Sequence, residues 1–417
     1  MAVTYISDLP AASALAGTEV FPGDQSAATK KITANQLRQY INKSNGLFNI
    51  LDYGAVQDST TDNAASIQAA IDDAILFRGK VIVPCGVSNF NYFRIDSGLE
   101  ILATAFPNDQ HYLSIEGYGR TVQIQYHGAN NGSVIAIAGM RGGQIHNLKL
   151  SIATGITGCT GFDIGTNEFG TTGNFSFYDC HVGLNNGVDN TGFRTGIYSV
   201  GGNGDVSFVN FYSCQVWGGQ SYGYSGQYGW EIGGQNALQF GFHSCGIFLC
   251  DRGLFINDGG IACYLYGTGG SGNNIDVYVA FVGSLTIDGG RWEGGHRFLD
   301  ITWAGRPSCV RLANIEFGGY TFSEGSTLIQ SGQNCTLIID SLMVYRGAGL
   351  TYTDPMIILY ADHDSIGNCH IRGGQYQTSS STLVTVTYPS KWHINLKRVG
   401  KYNTNLETTT YFADIDN

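Results

Sequence analysis

Phe177-Tyr178-Asp179-Cys180-His181-Val182, Phe211-Tyr212-Ser213-Cys214-Gln215-Val216 and Phe242-His243-Ser244-Cys245-Gly246-Ile247 are three copies of one phrase. Its frame is an apolar residue, two free positions, a small or apolar residue, one free position and an apolar residue. The frame extends backwards to Ile145-x-x-Leu148-x-Leu150. Forwards it fits Ile287-x-x-Gly290-x-Trp292, Leu312-x-x-Ile315-x-Phe317, Ile339-x-x-Leu342-x-Val344 and Ile366-x-x-Cys369-x-Ile371. The starts lie 32, 34, 31, 45, 25, 27 and 27 residues apart, the periods of a solenoid. Each period holds two or three short strands, including pieces at 253–256 and 356–359, and leaves no room for crossover helices. The expected fold is therefore all-β: a single-stranded parallel β-helix, each rung hydrogen-bonded to the next ~4.8 Å away.

The residue before the central slot is Asn147, Asp179, Ser213, Ser244, Gly289, Asn314, Ser341 or Asn368. Small polar residues there predict a bend stacked in a ladder between two strands. Cys180, Cys214, Cys245 and Cys369 fill the central slot itself, which makes them inward structural thiols. The ten cysteines show no Cys-x-x-Cys-type pairing of a metal site, and the sequence calls for no metal or cofactor.

Composition agrees. There are 59 glycines in 417 residues, roughly twice average usage, while charged residues, at 13%, reach about half the ordinary share. An apolar content of 43% excludes disorder. The net charge of −11, with no basic stripe, argues against nucleic acid as a partner. No apolar run is long enough to insert in a membrane. The opening residues lack the basic region and apolar core of a signal peptide, which points to synthesis in a cytosol.

The first 46 residues differ from the rest. Helix is expected over 11–17 and 33–41, with Thr33 as N-cap and Gln36 in the capping-box position. Leu37, Tyr40 and Ile41 form an apolar stripe too small to bury itself. A second helix is expected over 62–76, capped by Asp62, with Ile67, Ile71, Ala74 and Ile75 at helical spacing. The strand Lys80-Val81-Ile82-Val83 follows it.

Asp52-Tyr53-Gly54-Ala55, Asp58, Asp62 and Ala64-Ala65-Ser66-Ile67-Gln68-Ala69-Ala70-Ile71 resemble the opening of the pectate-lyase-like β-helix superfamily. The resemblance implies a right-handed solenoid whose N-terminal end is capped by that α-helix. The copy departs from the family at Gln57, Ser59 and Cys85-Gly86-Val87-Ser88. Residues 6–41, from Ile6-Ser7-Asp8-Leu9-Pro10 to Lys30-Lys31-Ile32-Thr33, resemble the N-terminal anchors of bacteriophage tailspikes and tail fibres. That layout implies a homotrimer, made in the host cytoplasm and carried on the virion, whose β-helix binds and often depolymerises bacterial surface polysaccharide. The implied domains are a virion-anchoring segment at 1–46, docked on a tail or baseplate protein, the β-helix at 47–400, and a C-terminal tail at 401–417. A non-enzymatic adsorption protein has the same scaffold. The Asn-Thr-Asp, Asp-Asp, Gly-His-Gly and Arg-Ile-Lys motifs of polygalacturonase-like members are missing, which argues against pectin cleavage.

Strand alternation assigns two outward columns after the central slot. One reads Lys149, His181, Gln215, Gly246, Arg291, Glu316, Met343 and His370. The other reads Ser151, Gly183, Trp217, Phe248, Glu293, Gly318, Tyr345 and Arg372. Trp217, Phe248, Tyr345 and Arg291 are the candidate sugar contacts, unless a partner subunit covers the aromatic pair. Glu293 and Glu316, with Cβ atoms about 8 Å apart on the ladder, suit an inverting acid–base pair. The alternative is a structural ion pair between Glu316 and Arg291. Glu231, expected outward on a second face, Asp251 and Asp288 are competing catalytic carboxylates. Asp258 and Asp276, also near turns, compete on the same footing. Tyr345 with His370 and Arg372 is the one cluster suited to a lyase. The 45-residue interval is expected to be an insertion walling a groove, with the glycine run 267–272 a mobile turn inside it.

Overall fold

The computed structural model describes residues 20–25, 28–33, 37, 41–85, 92–102, 112–119, 122–165, 172–183, 193–201, 206–219, 227–234, 237–257, 262–280, 282–301, 308–318, 327–332, 335–344, 357–359, 367–373, 375–376, 384–386, 392–397, 400–403 and 406–411. The chain winds through three long sheets in turn. One rung runs Gly142–His146 in the first sheet, Lys149–Ile152 in the second and Cys159–Ile164 in the third, and Thr172–Tyr178 opens the next rung. Each strand pairs in parallel with the strand one rung away, as Ile145 does with Phe177, Lys149 with His181 and Phe162 with Ile197. The parallel β-helix expected from the frame is the fold. Two antiparallel hairpins depart from it: Val20–Gln25 with Ala28–Thr33, and Gly400–Asn403 with Leu406–Tyr411.

Inward side chains stack along the axis. Phe177, Phe211 and Phe242 form an interior column with ring centroids 4.9 and 5.1 Å apart. Beside it, the Cys180 thiol donates to the carbonyl of Ile145 at 3.4 Å, and that of Cys245 to Phe211 at 3.4 Å. A small thiol thus fills the slot and satisfies its own donor on the rung before. None of the ten cysteines forms a disulfide.

The predicted bend is a single left-handed residue. Asn147, Asp179, Ser213, Ser244, Asn314 and Ser341 all have φ between 51° and 57°, and Gly267, Gly289 and Gly373 take the same turn. Above each bend the N–H donates to the next rung, as from Ser213 to the His243 carbonyl at 2.9 Å. Two residues on, it donates to the rung before, as from Gln215 to Cys180 at 2.9 Å. The corner therefore turns without breaking the ladder. Gly, Asn and Asp tolerate this conformation most cheaply, and Ser holds it at three corners at some cost in strain.

Two readings of the frame need correction. The 45-residue interval is two rungs rather than an insertion: Leu265 pairs with both Phe242 and Ile287. The frame passes through Leu265-x-x-Thr268-x-Gly270, with Thr268 donating to the Phe242 carbonyl at 3.2 Å in place of a thiol. The run 267–272 is a bend followed by the strand Gly269–Ser271, not a loose turn. At the other end the true frame lies five residues later than expected. Ile371, not Ile366, aligns with Ile339, and Tyr376 with Val344. Cys369 is still buried, but it faces inward from the first sheet instead of filling the bend, and Gly373 rather than Asn368 is the left-handed residue.

The second expected helix forms at Ala64–Phe77 and buries Ile67, Ala70, Ile71, Ala74 and Ile75 against the first strands of the solenoid. Its N-cap is Asn63, not Asp62. Asp62 instead divides its carboxylate between the N–H groups of Ala64 and Asp96, both at 3.0 Å. Ahead of it, Thr33 ends a strand rather than capping a helix. The segments 11–17, 34–36 and 38–40 lie outside the described residues.

The bend reading has a direct test. Ser213 is exposed, so replacing it changes little besides backbone strain. Ser213→Gly should hold or raise the melting temperature, while Ser213→Val should cost about 1–2 kcal/mol in denaturant unfolding. Equal stabilities would mean that the left-handed bend carries no weight.

Candidate functional site on the second sheet

The bends fix which side chains leave the second sheet and at what pitch. The first outward column reads Gln123, Lys149, His181, Gln215, Gly246, Gly269, Arg291, Glu316 and Met343. The second places Trp217, Phe248, Ser271, Glu293 and Gly318 on successive rungs. Trp217, Phe248, Arg291, Glu293 and Glu316 therefore share one face, as the sequence implied. Ser271 separates Phe248 from Glu293, so the aromatic and acidic groups stand one rung further apart than expected.

Trp217 and Phe248 stack with centroids 4.1 Å apart and planes 22° from parallel. Gln215 holds the indole by accepting from its Nε1 at 3.2 Å. Gly246 makes the arrangement possible: a Cβ there would sit 2.5 Å from the Phe248 ring. Two rungs on, Arg291 bonds Glu293 directly and reaches Glu316 at 3.6 Å. One guanidinium nitrogen thus draws both carboxylates together. Their bridging oxygens stand no more than about 6 Å apart, closer than the ~6.5–9.5 Å of an inverting pair. Arg291 must release one of them before that spacing opens. All three side chains remain substantially open to solvent.

The other candidates lie around this face. Asp288 is on the first sheet, where Asn314 donates to its carboxylate at 2.8 Å. Asp251 occupies the tight corner between the second and third sheets and accepts from the Asn274 amide at 2.9 Å. Asp276 is fully buried and accepts from Asn273 at 2.8 Å, which takes it away from any ligand. Glu231 lies in the outward register of the third sheet, between Tyr198 and Phe255, yet only 5% of it is exposed. Burial pushes its carboxyl above the usual carboxylate range. The charges of Arg194 and Arg252, with hydrogen bonds from Thr195 and Asn257, oppose the shift. Asp300, three rungs on in the same register, is 3% exposed and raised for the same reason, against a pull from Arg297. Between them the Arg252 guanidinium lies 3.8 Å from the Tyr278 ring and 4.8 Å from that of Phe255.

Two members of the lyase cluster leave the face assigned to them. His370 and Arg372 belong to the first sheet, paired with Ile338 and Asp340, because the true frame lies five residues later. Tyr345, like Asp258, lies outside the described residues. Among the described residues no group of three or more His, Cys, Asp and Glu could hold a metal ion, and no helix is long and apolar enough to cross a membrane.

A second outward ladder lies beyond the two columns. His146, Tyr178, Tyr212, His243 and Tyr266 stack on the outer face of the first sheet at spacings from 4.4 to 5.5 Å. Four of the five occupy the second position of the repeated frame, so their signal is present in the sequence, one position before the bend.

No family model matches the sequence, and no curated protein matches it. Solved structures do. The A-module of mannuronan C-5 epimerase AlgE4 from Azotobacter vinelandii is 15% identical with a TM-score of 0.52, over 84% of this chain and 95% of that one. The N-terminal fragment of gene product 12 from bacteriophage Phi29 is 14% identical with a TM-score of 0.53, over 88% and 68%. DFA-IIIase from Arthrobacter chlorophenolicus A6 is 10% identical with a TM-score of 0.52, over 85% and 95%. At these identities the likeness is one of fold.

Glu231 gives a measurable pH signature. Its folded-state pKa is raised, so its contribution to stability is present below the ordinary value of 4.5 and is lost as pH rises through the folded-state value. Glu231→Gln should match the wild type near pH 4 and melt about a degree or two higher at neutral pH. A wild type that instead gained on the variant with rising pH would show that Glu231 is stabilised as the anion.

Proposed function

We propose that this chain is a bacteriophage tailspike whose β-helix binds, and at the second sheet cleaves, a bacterial surface polysaccharide. One observation carries the reading: an aromatic stack and a carboxylate pair lie on one straight, open face. Trp217 and Phe248 offer ring area to the apolar faces of sugars. Glu293 and Glu316, both held by Arg291, supply an acid and a base for glycosidic hydrolysis once a ligand loosens that hold. A linear polymer laid along the axis meets both in turn. The layout of an N-terminal segment followed by a β-helix supports the tailspike assignment, and residues 1–46 attach the protein to a tail or baseplate protein. Three copies associate through outward aromatics. The Phi29 gene product fits a phage setting, and the mannuronan epimerase AlgE4 and DFA-IIIase fit a carbohydrate-active one.

A second reading has its own support. Arg291 engages both glutamates, as in a structural ion pair, which suits a tail fibre that adsorbs without cutting.

Purified protein incubated with capsule or lipopolysaccharide from candidate hosts separates the two by the appearance of shorter oligosaccharides. Glu293→Gln or Glu316→Gln should slow cleavage roughly 10²–10⁴-fold with binding retained. Trp217→Ala should weaken binding about tenfold, the worth of one aromatic stack. Full activity in both glutamate variants would move the chemistry elsewhere, and binding without any cleavage would favour the adsorption protein.

The anchoring role predicts a separable segment. A chain beginning at Phe48 should keep glycan binding and lose incorporation into particles. Loss of binding on that truncation would place part of the receptor site before residue 47.

A further inference from the structure

Lys149 and His181 stand side by side on adjacent rungs of the same face, immediately ahead of the aromatic stack. Both are half-buried. Burial holds the Lys149 ammonium below its ordinary pKa. His181 is likewise lowered by burial and by the charge of Lys149, with only Asp179, at the preceding bend, pulling the other way. Two half-buried basic groups side by side are short of solvation, which an arriving anion would relieve.

The stack says where it would arrive from. The Trp217 and Phe248 centroids are 4.1 Å apart, close to one rung, so the ring faces point along the axis. One indole face rests on Phe248, and the other looks back toward the rung of His181 and Gly183. Gly183 brings no side chain there; even a Cβ would lie 3.2 Å from Cβ of Trp217 and 2.3 Å from its carbonyl oxygen. Behind it the Ser151 hydroxyl already accepts from Gln123 at 2.7 Å, which leaves the two basic groups as the charge-bearing chemistry nearest that face. A sugar on that other face of Trp217 would sit about 8 Å or less from His181, one rung back and two residues across.

We infer that Lys149 and His181 form an anion subsite that takes the carboxylate of a uronic acid residue in the glycan, next to the sugar stacked on Trp217. The inference rests on the polysaccharide reading above and specifies its substrate class: an acidic polymer, despite the net negative charge of the chain. Lys149 supplies a mobile ammonium and His181 a ring N–H donor, together enough for both carboxylate oxygens.

The test uses the full-length chain against immobilised capsular polysaccharides: glucuronate-, galacturonate- and mannuronate-containing ones, neutral ones and a phosphodiester-linked one. Each bound acidic polymer is measured again after carbodiimide–borohydride reduction, which turns the carboxylate into an alcohol on the same backbone. Wild type should prefer uronate polymers and lose about 10- to 100-fold in affinity on reduction. Lys149→Met should bind the acidic and reduced forms alike, Lys149→Arg should restore much of the preference, and an unchanged melting temperature shows that each variant is folded. Equal wild-type affinity for the two forms, preference for a neutral or phosphodiester polymer, or undiminished discrimination in Lys149→Met would each overturn the subsite while leaving glycan binding intact. Binding to no polysaccharide, with Trp217→Ala silent, would overturn the glycan reading and the subsite together.

Discussion

The structure depends on one residue per rung that accepts a left-handed backbone. A strand running through Phe211 and Tyr212 pairs its N–H groups alternately with the rungs on either side, and the strand from Gln215 continues at an angle in another sheet. Ser213, at φ 53°, makes the turn within a single residue while its N–H still bonds the next rung. An ordinary loop would strand several peptide groups at the edge of the core, each costing about 1–3 kcal/mol if left unpaired. A left-handed Ser or Asn costs on the order of 1 kcal/mol. The exchange favours the bend, and it explains why the position is polar and small when its neighbours are apolar and large.

This device also makes the fold legible. Phe177, Cys180 and Val182 are inward because the bend between them sets their phase, so the frame reads geometry and not merely hydrophobicity. The two corrections come from the same source. Leu265-x-x-Thr268-x-Gly270 hides from a hydrophobic frame because Thr and Gly do not look like core residues, yet the slot asks only for a small group that can satisfy the rung before it. Ile366-x-x-Cys369-x-Ile371 mimics the frame because plain strand alternation puts Cys369 and Ile371 on one face, which imitates its end. Gly373, the real bend, is the better marker.

The candidate site is legible in part for the same reason. Trp217, Phe248, Glu293, Arg291 and Glu316 follow bends at fixed offsets, so their common face can be read from spacing. The burial of Glu231 and Asp300 cannot. It is set by Thr195, Arg252 and Arg297, which reach them from other rungs or sit in corners whose packing leaves no periodic trace. The basic pair at Lys149 and His181 lies in plain view in the first outward column, but only its half-burial beside the Trp217 stack, a three-dimensional property, distinguishes it from ordinary surface charge.

Two classes of carboxylate emerge, and they differ in what they can be used for. Glu231 and Asp300 are buried among aromatic rings and arginines, where a raised pKa costs stability at neutral pH and a change of partner would strand a charge. Glu293 and Glu316 share Arg291 in the open, where an ion pair contributes about 1 kcal/mol or less. The exposed pair is therefore the one that a ligand can rearrange without loosening the solenoid. A proton-transfer site needs that freedom, since its carboxylates must give up one set of contacts to take up another. The rung spacing supplies the remaining requirement by holding Trp217 and Glu293 in line at fixed pitch, with Arg291 and Glu316 in the neighbouring column. Burial alone would nominate Glu231, but accessibility along that line favours the second sheet for the chemistry.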